Sequence, residues 1–184
     1  MKSTSYTQII KTFNNGICFA HVAYELEKTF KINIITQNID NLHELAGNSS
    51  IIYMHGELNK VRCISNDSHI HHWITDLNET HKCPECSSQM RPHICWFGEM
   101  PFQMDEIHQK AEQSALFVSI GTSGEVYPAA GFVSMFKEMK KPTVELNLEP
   151  SRNQDQFDFA IHKPATIAVE EFKNLIMKNI NKNL

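Results

Sequence analysis

The chain has 184 residues, of which 41% are hydrophobic and 21% are charged, and its formal net charge is −4. This composition is ordinary for a single globular domain, and the charge gives no electrostatic basis for binding nucleic acid or a membrane surface. No apolar run reaches the roughly 18 residues of a membrane helix, and the N-terminal stretch MKSTSYTQIIKTFNN lacks the apolar segment and cleavage site of a signal peptide. Two of the five cysteines form a CxxC pair, which favours a reducing, cytoplasmic compartment and a metal site over disulfides.

Strand-like and helix-like segments alternate along the chain. Apolar side chains recur at helical spacing in some segments, and β-branched runs bounded by turn residues mark the others. Such alternation indicates βαβ units and a parallel sheet. In chain order we predict a helix over 17–30, strands near 32–35 and 51–54, a helix over 103–114, a strand at 115–120, a helix over 128–139, a strand near 144–148 and a closing helix over 170–179.

Polar residues follow the first two predicted strands. The apolar run from Ile32 to Ile35 stops at Thr36-Gln37-Asn38-Ile39-Asp40, and the run 51–54 stops at His55-Gly56-Glu57. In an open parallel sheet, ligands bind at the carboxyl ends of strands. These residues therefore predict a site for a small polar ligand, although either cluster alone could be a simple turn between strands.

Residues 61–90 form a polar, irregular segment with little apolar periodicity. A segment of this length without its own core is unusual inside a compact domain. Cys83 and Cys86 form a zinc knuckle, and Cys63 stands where a first knuckle would begin, although Asn66 occupies its second position. We predict a structural zinc site in this insert. Asp67 or His69 could be the fourth ligand, and a metal-free insert is the alternative.

Several longer sequence motifs resemble those of one protein family. TQNIDNLHELAG, MHGEL, KVRC, RPHICWFGEMP, GTSGEVYPAAGF and VELNLEPS occur in this order between Phe19 and the C-terminus. They resemble the sirtuins, which are NAD-dependent protein deacylases, and among them the bacterial class III (CobB-like) enzymes. The resemblance implies an α/β fold. The expected chain is one domain over 1–184, with a Rossmann-like parallel sheet, helices on both faces of that sheet and a small zinc-binding insert at 61–90.

The resemblance also implies an activity. The enzyme would remove acyl groups from lysines of protein substrates, giving nicotinamide and O-acyl-ADP-ribose. Acetyl is the expected acyl group, and the question of succinyl is left open. His55 matches the general base of the family. The residues that match NAD contacts are Gln37, Asn38, Ile39, Asp40, Gly121, Thr122, Ser123, Asn147, Leu148, Glu149 and Ala165. Those that match the loop binding the substrate peptide are Ile94, Trp96, Phe97, Gly98 and Glu99. The zinc ligands would be Cys63, Cys83 and Cys86, and we read Cys95 as a small buried hydrophobe.

Part of the family pattern is missing. Residues 1–16 contain no GAGxS loop, and we therefore expect the chain to lack the first Rossmann strand and the glycine loop that grips the NAD diphosphate. Ser3 and Tyr6 occupy the positions of the tyrosine and arginine that bind acidic acyl groups, so a succinyl preference has no support. The chain as written should bind NAD poorly. A non-catalytic sirtuin remnant, acting as a zinc-stapled binding module, is the alternative function.

Overall fold

A six-stranded parallel sheet forms the centre of the protein. A computed structural model describes residues 8–13 and 17–182, with side chains from 19 to 179. Strands are numbered along the chain, and every pairing in this sheet is parallel. In spatial order they are β3 (Ile51–Tyr53), β2 (Lys31–Thr36), β1 (Gln8–Phe13), β7 (Leu116–Ile120), β8 (Thr143–Asn147) and β9 (Phe159–His162).

Strand β1 lies in the middle of this sheet. Its Ile9 pairs with Ile32 of β2 on one side and with Leu116 of β7 on the other. The expectation that the chain lacks a first strand is therefore wrong, because the β-branched segment Gln8–Phe13 fills that position. The prediction of a missing glycine loop concerns residues 14–16, which lie outside the described residues and read Asn-Asn-Gly in the sequence.

Helices cover both faces of the sheet. They are α1 (Ile17–Glu27), α2 (Leu42–Leu45), α3 (Met104–Gln113), α4 (Phe132–Glu138) and α5 (Ala165–Lys182). On one face, Phe19 of α1 and Phe172 of α5 pack against Ile34 and Val118. On the other, Ile107 of α3 and Phe136 of α4 pack against Phe117. Because both faces are buried, the strands read as nearly continuous apolar runs.

The predicted insert forms a second, smaller sheet. Strands β4 (Gly56–Cys63), β5 (Ile70–His72) and β6 (Met90–Ile94) pair antiparallel in the order β5-β4-β6. Val61, Cys63, Cys83 and Met90 form a buried cluster there. The expectation of a coreless segment is therefore wrong, and the small sheet spans 56–94 rather than 61–90. The closing helix also begins five residues before its predicted start, at Ala165.

Within the part of the chain that the structure describes, no helix has both the length and the apolar character needed to cross a membrane.

Candidate functional site

The polar segments that follow the strands meet at one edge of the sheet. Thr36 at the end of β2 pairs with Tyr53 of β3, and Ile120 at the end of β7 pairs with Leu146 of β8. Because all these strands run parallel, their carboxyl ends lie at the same edge. The predicted residues Gln37, His55, Gly121 and Asn147 are thereby placed around this edge.

His55 is held in a defined orientation at this edge. Its Nδ1 lies 3.1 Å from the carbonyl oxygen of Gln37. A carbonyl oxygen only accepts hydrogen bonds, so Nδ1 carries the proton in the neutral ring and Nε2 keeps its lone pair. The backbone fixes the residue as well, since the N–H of Cys95 donates to the His55 carbonyl at 2.9 Å.

Two pockets meet at His55. The first, which we call the amide pocket, has a volume of about 620 Å³. Gln37 and His55 line it together with the chain that follows β2 and the end of β6. Four residues predicted to contact the nicotinamide end of NAD are thus brought together in one pocket: Gln37, Asn38, Ile39 and Asp40.

The second pocket, which we call the aromatic pocket, adjoins the first and shares four of its lining residues: Gln37, His55, Ile94 and Cys95. Its volume is about 420 Å³. Trp96, Phe97 and Tyr127 line it and are strongly exposed for aromatic side chains. All five residues predicted to form the peptide-binding loop line this pocket: Ile94, Trp96, Phe97, Gly98 and Glu99.

Glu99 holds this loop in place. Its carboxylate accepts hydrogen bonds from Arg91 at 2.5 and 3.1 Å, from the N–H of Trp96 at 2.9 Å and from Arg62 at 3.4 Å. The Arg91 hydrogen bond, followed by that of the Trp96 N–H, lowers the pKa of Glu99 below its usual range. The side chain thus binds the loop's own backbone and two arginines, which makes it a positioning residue.

Cys95 is not buried as expected. It is half-exposed and lines both pockets beside His55. Burial of the thiol, followed by the charge of Glu99, raises the pKa of Cys95. The thiol therefore stays protonated near neutral pH and gives both pockets a neutral lining group.

The residues predicted to contact the rest of NAD are less tightly grouped. The side chain of Asn147 donates to the Thr122 carbonyl at 2.7 Å and so ties the β8 end to the β7 end. Thr122 and Ser123 also line a small cavity of about 20 Å³ with Gln37. Four other predicted residues line none of these three pockets: Gly121, which follows β7, Leu148 and Glu149, which are exposed beyond β8, and Ala165, which opens α5.

The sequence analysis missed a buried carboxylate beside these residues. Glu145 in β8 is 1% exposed, accepts a hydrogen bond from the Ser151 hydroxyl and lies 2.8 Å from Nε2 of His162 in β9. The network ties β8, the segment after it and β9 together. The sequence did offer a signal for this buried carboxylate, since a glutamate stands between Val144 and Leu146 in a strand with neighbours on both sides. Both faces of such a strand are buried, so its charged side chain must have partners.

The insert brings four potential metal ligands together. The Sγ atoms of Cys63, Cys83 and Cys86 and a ring nitrogen of His69 all lie within 4.8 Å of one another. Cys63 and Cys86 are 3.4 Å apart at sulfur, close to the roughly 3.8 Å that two thiolates span on tetrahedral zinc. Asp67 lies outside this cluster, with a side chain that is 86% exposed. Of the two candidates for the fourth ligand, the structure selects His69.

The surroundings of the cluster suit a zinc ion. The Nδ1 of His69 faces Cys83 at 3.5 Å, while its Nε2 lies 3.0 Å from the Glu85 carboxylate. An outer carboxylate of this kind orients a ligating histidine and raises its basicity. Hydrogen bonds from Ser88, and then from Cys63, lower the pKa of Cys86 to about 6, whereas burial raises the pKa of Cys83. Three thiol ligands and one histidine match a closed, structural zinc site.

The fold and the site together define the class of protein. A parallel Rossmann-like sheet that carries a histidine at its carboxyl edge, beside a small Cys/His insert, is an α/β architecture whose ligands bind at that edge. A model of the Sir2 family matches residues 4–128, which is more than half of the chain, and the chain belongs to this family.

Similar proteins with curated names come from several bacteria. The "NAD-dependent protein deacylase" of Escherichia coli (strain K12) is 48% identical over 149 residues, covering 80% of this chain and 53% of the relative. That of Salmonella typhimurium is 48% identical over 166 residues, covering 88% and 60%. The chain thus spans between about half and three fifths of the length of these two relatives.

Solved structures show the same fold. A Sir2 homologue in complex with NAD has a TM-score of 0.76 and 31% identity, covering 88% of this chain and 65% of the other. A mutant Sir2 homologue in complex with ADP-ribose has a TM-score of 0.79 and 28% identity, covering 89% and 68%. The predicted family and the predicted Rossmann-like fold are therefore confirmed.

Proposed function

We propose that this chain carries the nicotinamide-binding and acyl-lysine-binding parts of an NAD-dependent protein deacylase. The observation that carries the proposal is the position of His55, which lines both the amide pocket and the aromatic pocket and is oriented by the Gln37 carbonyl. A base in this position can reach groups held in either pocket. The names of the bacterial relatives support the same activity.

The amide pocket fits the nicotinamide end of NAD. Amide side chains from Gln37 and Asn38 can exchange hydrogen bonds with a carboxamide, and Asp40 adds a carboxylate. When bound, NAD supplies an electrophilic ribose carbon with nicotinamide as its leaving group. His55 acts as the general base of this reaction: its Nε2 takes a proton from a hydroxyl group, while the Gln37 carbonyl holds the proton on Nδ1.

The aromatic pocket fits an extended peptide with an acylated lysine. The loop 95–98 can add the peptide as a further strand through its backbone, while Trp96 and Tyr127 cover the apolar part of the lysine side chain. No lysine or arginine lines either pocket in the described part of the chain. We therefore propose acetyl and other neutral acyl groups as substrates, in cytoplasmic proteins, rather than succinyl groups.

The experiment that tests this proposal uses the segment that would bind the NAD diphosphate, which is missing from the sequence. Only Asn14, Asn15 and Gly16 separate β1 from α1, and they offer no GAGxS loop for the diphosphate. Calorimetric NAD titration and deacetylation of an acetyl-lysine peptide should be compared between this chain and a version with a grafted GAGxS segment. Each charge-assisted hydrogen bond is worth about 1.5–3 kcal/mol, so the graft should bind NAD at least tenfold more tightly.

Two results would contradict parts of this proposal. Equal NAD affinity and equal rate in both proteins would show that the account of the cofactor site is wrong. If the grafted protein binds NAD but does not deacetylate the peptide, the chain is a non-catalytic remnant, in which the zinc-stapled insert serves as a binding module.

A further inference from the structure

A third pocket lies behind the amide pocket, between α2 and the small sheet. Its volume is about 190 Å³. Asp40, Glu44 and Glu57 bring three carboxylates to its lining, against one ammonium group from Lys60. We call it the acidic pocket. It is lined by Ile39, Asp40, Asn41, Glu44, Tyr53, Glu57, Asn59, Lys60 and His72.

The charges in the acidic pocket are only partly neutralised from within. Lys60 Nζ forms an ion pair with Glu57 at 2.7 Å. Among the described residues, neither Asp40 nor Glu44 has a cationic side chain within ion-pair distance. The lining therefore has an excess of negative charge, which a cation from outside would reduce.

The hydroxyl group of Tyr53 provides an independent observation. Tyr53 lines the pocket and is 7% exposed, and its buried hydroxyl has no hydrogen-bond partner among the described residues. Leaving a buried hydroxyl unpaired costs free energy, and such groups in native proteins usually have a partner. Burial, followed by the charges of Glu44, Glu57 and Asp40, raises the pKa of Tyr53, so the phenol stays neutral. A neutral phenol oxygen keeps lone pairs that can accept an N–H donor.

From this lining we propose that the acidic pocket binds a compact organic cation, an alkylammonium or guanidinium group. Such a group offers several N–H donors, which match the carboxylates and the Tyr53 oxygen. A bare metal ion fits less well, because it needs oxygen ligands that converge on one point. The only convergent set of three or more potential ligands among the described residues is the Cys/His cluster.

The acidic pocket is also connected to the cofactor side of the protein. Ile39 and Asp40 line both the acidic pocket and the amide pocket. The Asp40 carboxylate accepts a hydrogen bond from the Leu42 N–H at 3.1 Å, which shapes the turn between the two pockets. A cation bound at Asp40 would therefore contact a residue that also lines the pocket proposed for nicotinamide.

The test uses the whole chain without NAD or peptide substrate, so its outcome is independent of the proposed deacylation. Amide chemical shifts of the labelled protein are followed during titration with n-butylammonium chloride and with ethylguanidinium chloride, against sodium chloride of equal ionic strength. A short blocked peptide, acetyl-Gly-Arg-Gly-amide, forms the second arm. We expect saturable shifts around Ile39, Tyr53 and Glu57, with a dissociation constant on the order of a millimolar.

Two variants and a matched control assign the binding to the pocket. Tyr53→Phe removes only the hydroxyl, and Glu44→Gln removes one exposed carboxylate, so both should fold. Each should weaken binding by roughly tenfold. Glu112→Gln removes an exposed carboxylate from α3, outside the pocket, and should leave binding unchanged.

The two arms distinguish the source of the cation. Tighter binding of the peptide than of the free cations would identify a basic side chain of a protein as the ligand. Equal or weaker binding of the peptide would identify a free small cation. Shifts no larger than those in sodium chloride, or equal binding by the Tyr53→Phe and Glu44→Gln variants, would overturn the proposal.

Discussion

The choice of His69 over Asp67 as the fourth zinc ligand makes the sharpest prediction for the insert. His69→Ala removes one of the four ligand atoms that lie within 4.8 Å of one another, whereas Asp67→Ala removes a side chain that is 86% exposed and outside the cluster. Loss of a residue that merely orients a ligand costs about 10–100-fold in metal affinity. Loss of the ligand itself should therefore cost at least about 100-fold.

This loss can be converted into stability. A 100-fold change in affinity corresponds to about 2.7 kcal/mol of binding free energy that stabilises the folded state. For a domain of this size, each kcal/mol shifts the melting temperature by about 2–4 °C, so His69→Ala should melt roughly 5–10 °C below the wild type. The measurements are zinc competition against a chromogenic chelator, metal analysis of the purified protein and thermal unfolding.

The variant Asp67→Ala is the matched control for His69→Ala. Asp67→Ala should keep one zinc per chain, with an affinity within about twofold of the wild type. Wild-type zinc affinity in His69→Ala, or loss of zinc in Asp67→Ala, would refute the assignment of the fourth ligand.

Three further predictions concern the contact between β4 and β6 and the loop after β6. Gly56→Ala should destabilise the fold by more than about 3 kcal/mol in urea unfolding, because φ at Gly56 is +88° and an added Cβ would lie 2.0 Å from the His93 carbonyl oxygen. Gly98→Ala is the matched control: φ is +87° but an added Cβ has nothing within 4 Å, so this substitution should cost only about 1–2 kcal/mol. Equal losses of stability in the two variants would contradict this account. Glu99→Gln should raise the KM for an acetyl-lysine peptide more than it lowers kcat, because the loop loses its charged anchor. Since Arg91 depresses the pKa of Glu99, the wild type should lose this carboxylate's stabilisation as the pH falls below about 4.5, and acid melts of Glu99→Gln that track the wild type would argue against it.

The parallel sheet was the most predictable part of the structure. Runs such as Ile32–Ile35 and 115–120 are β-branched, apolar and followed by polar turns, and each forms a strand with a site residue at its end. The helix predicted over 103–114 is α3 (Met104–Gln113). Such patterns predict helices and strands correctly when burial of one or both faces of the element dictates its residue types.

Elements with weak local signals were missed. Strand β1 was not predicted because residues 1–16 carry few apolar groups, and β9 was not predicted because only Ile161 of that strand is buried. The small sheet was not predicted because its core consists of Val61 and Met90 with two cysteines. Such a core depends on long-range pairing and metal ligands rather than on periodicity.

The candidate site was predictable by residue but not by role. Sequence alone placed His55, Gln37 and Glu99 in one site, yet gave no indication that Glu99 binds two arginines and the Trp96 N–H. Cys95 was expected to be buried and instead lines two pockets. Such roles depend on contacts between distant segments, which no local pattern reveals.

The most direct test of the central claim is the deacetylation rate of an acetyl-lysine peptide, measured with the GAGxS-grafted protein and its His55→Ala variant at saturating NAD. Removing the general base should lower kcat by about 10²–10⁴-fold. NAD affinity should change far less, because the amide pocket keeps Gln37, Asn38 and Asp40. A His55→Ala rate within a few-fold of the parent would contradict the account, because the histidine that lines both pockets would then not be the base.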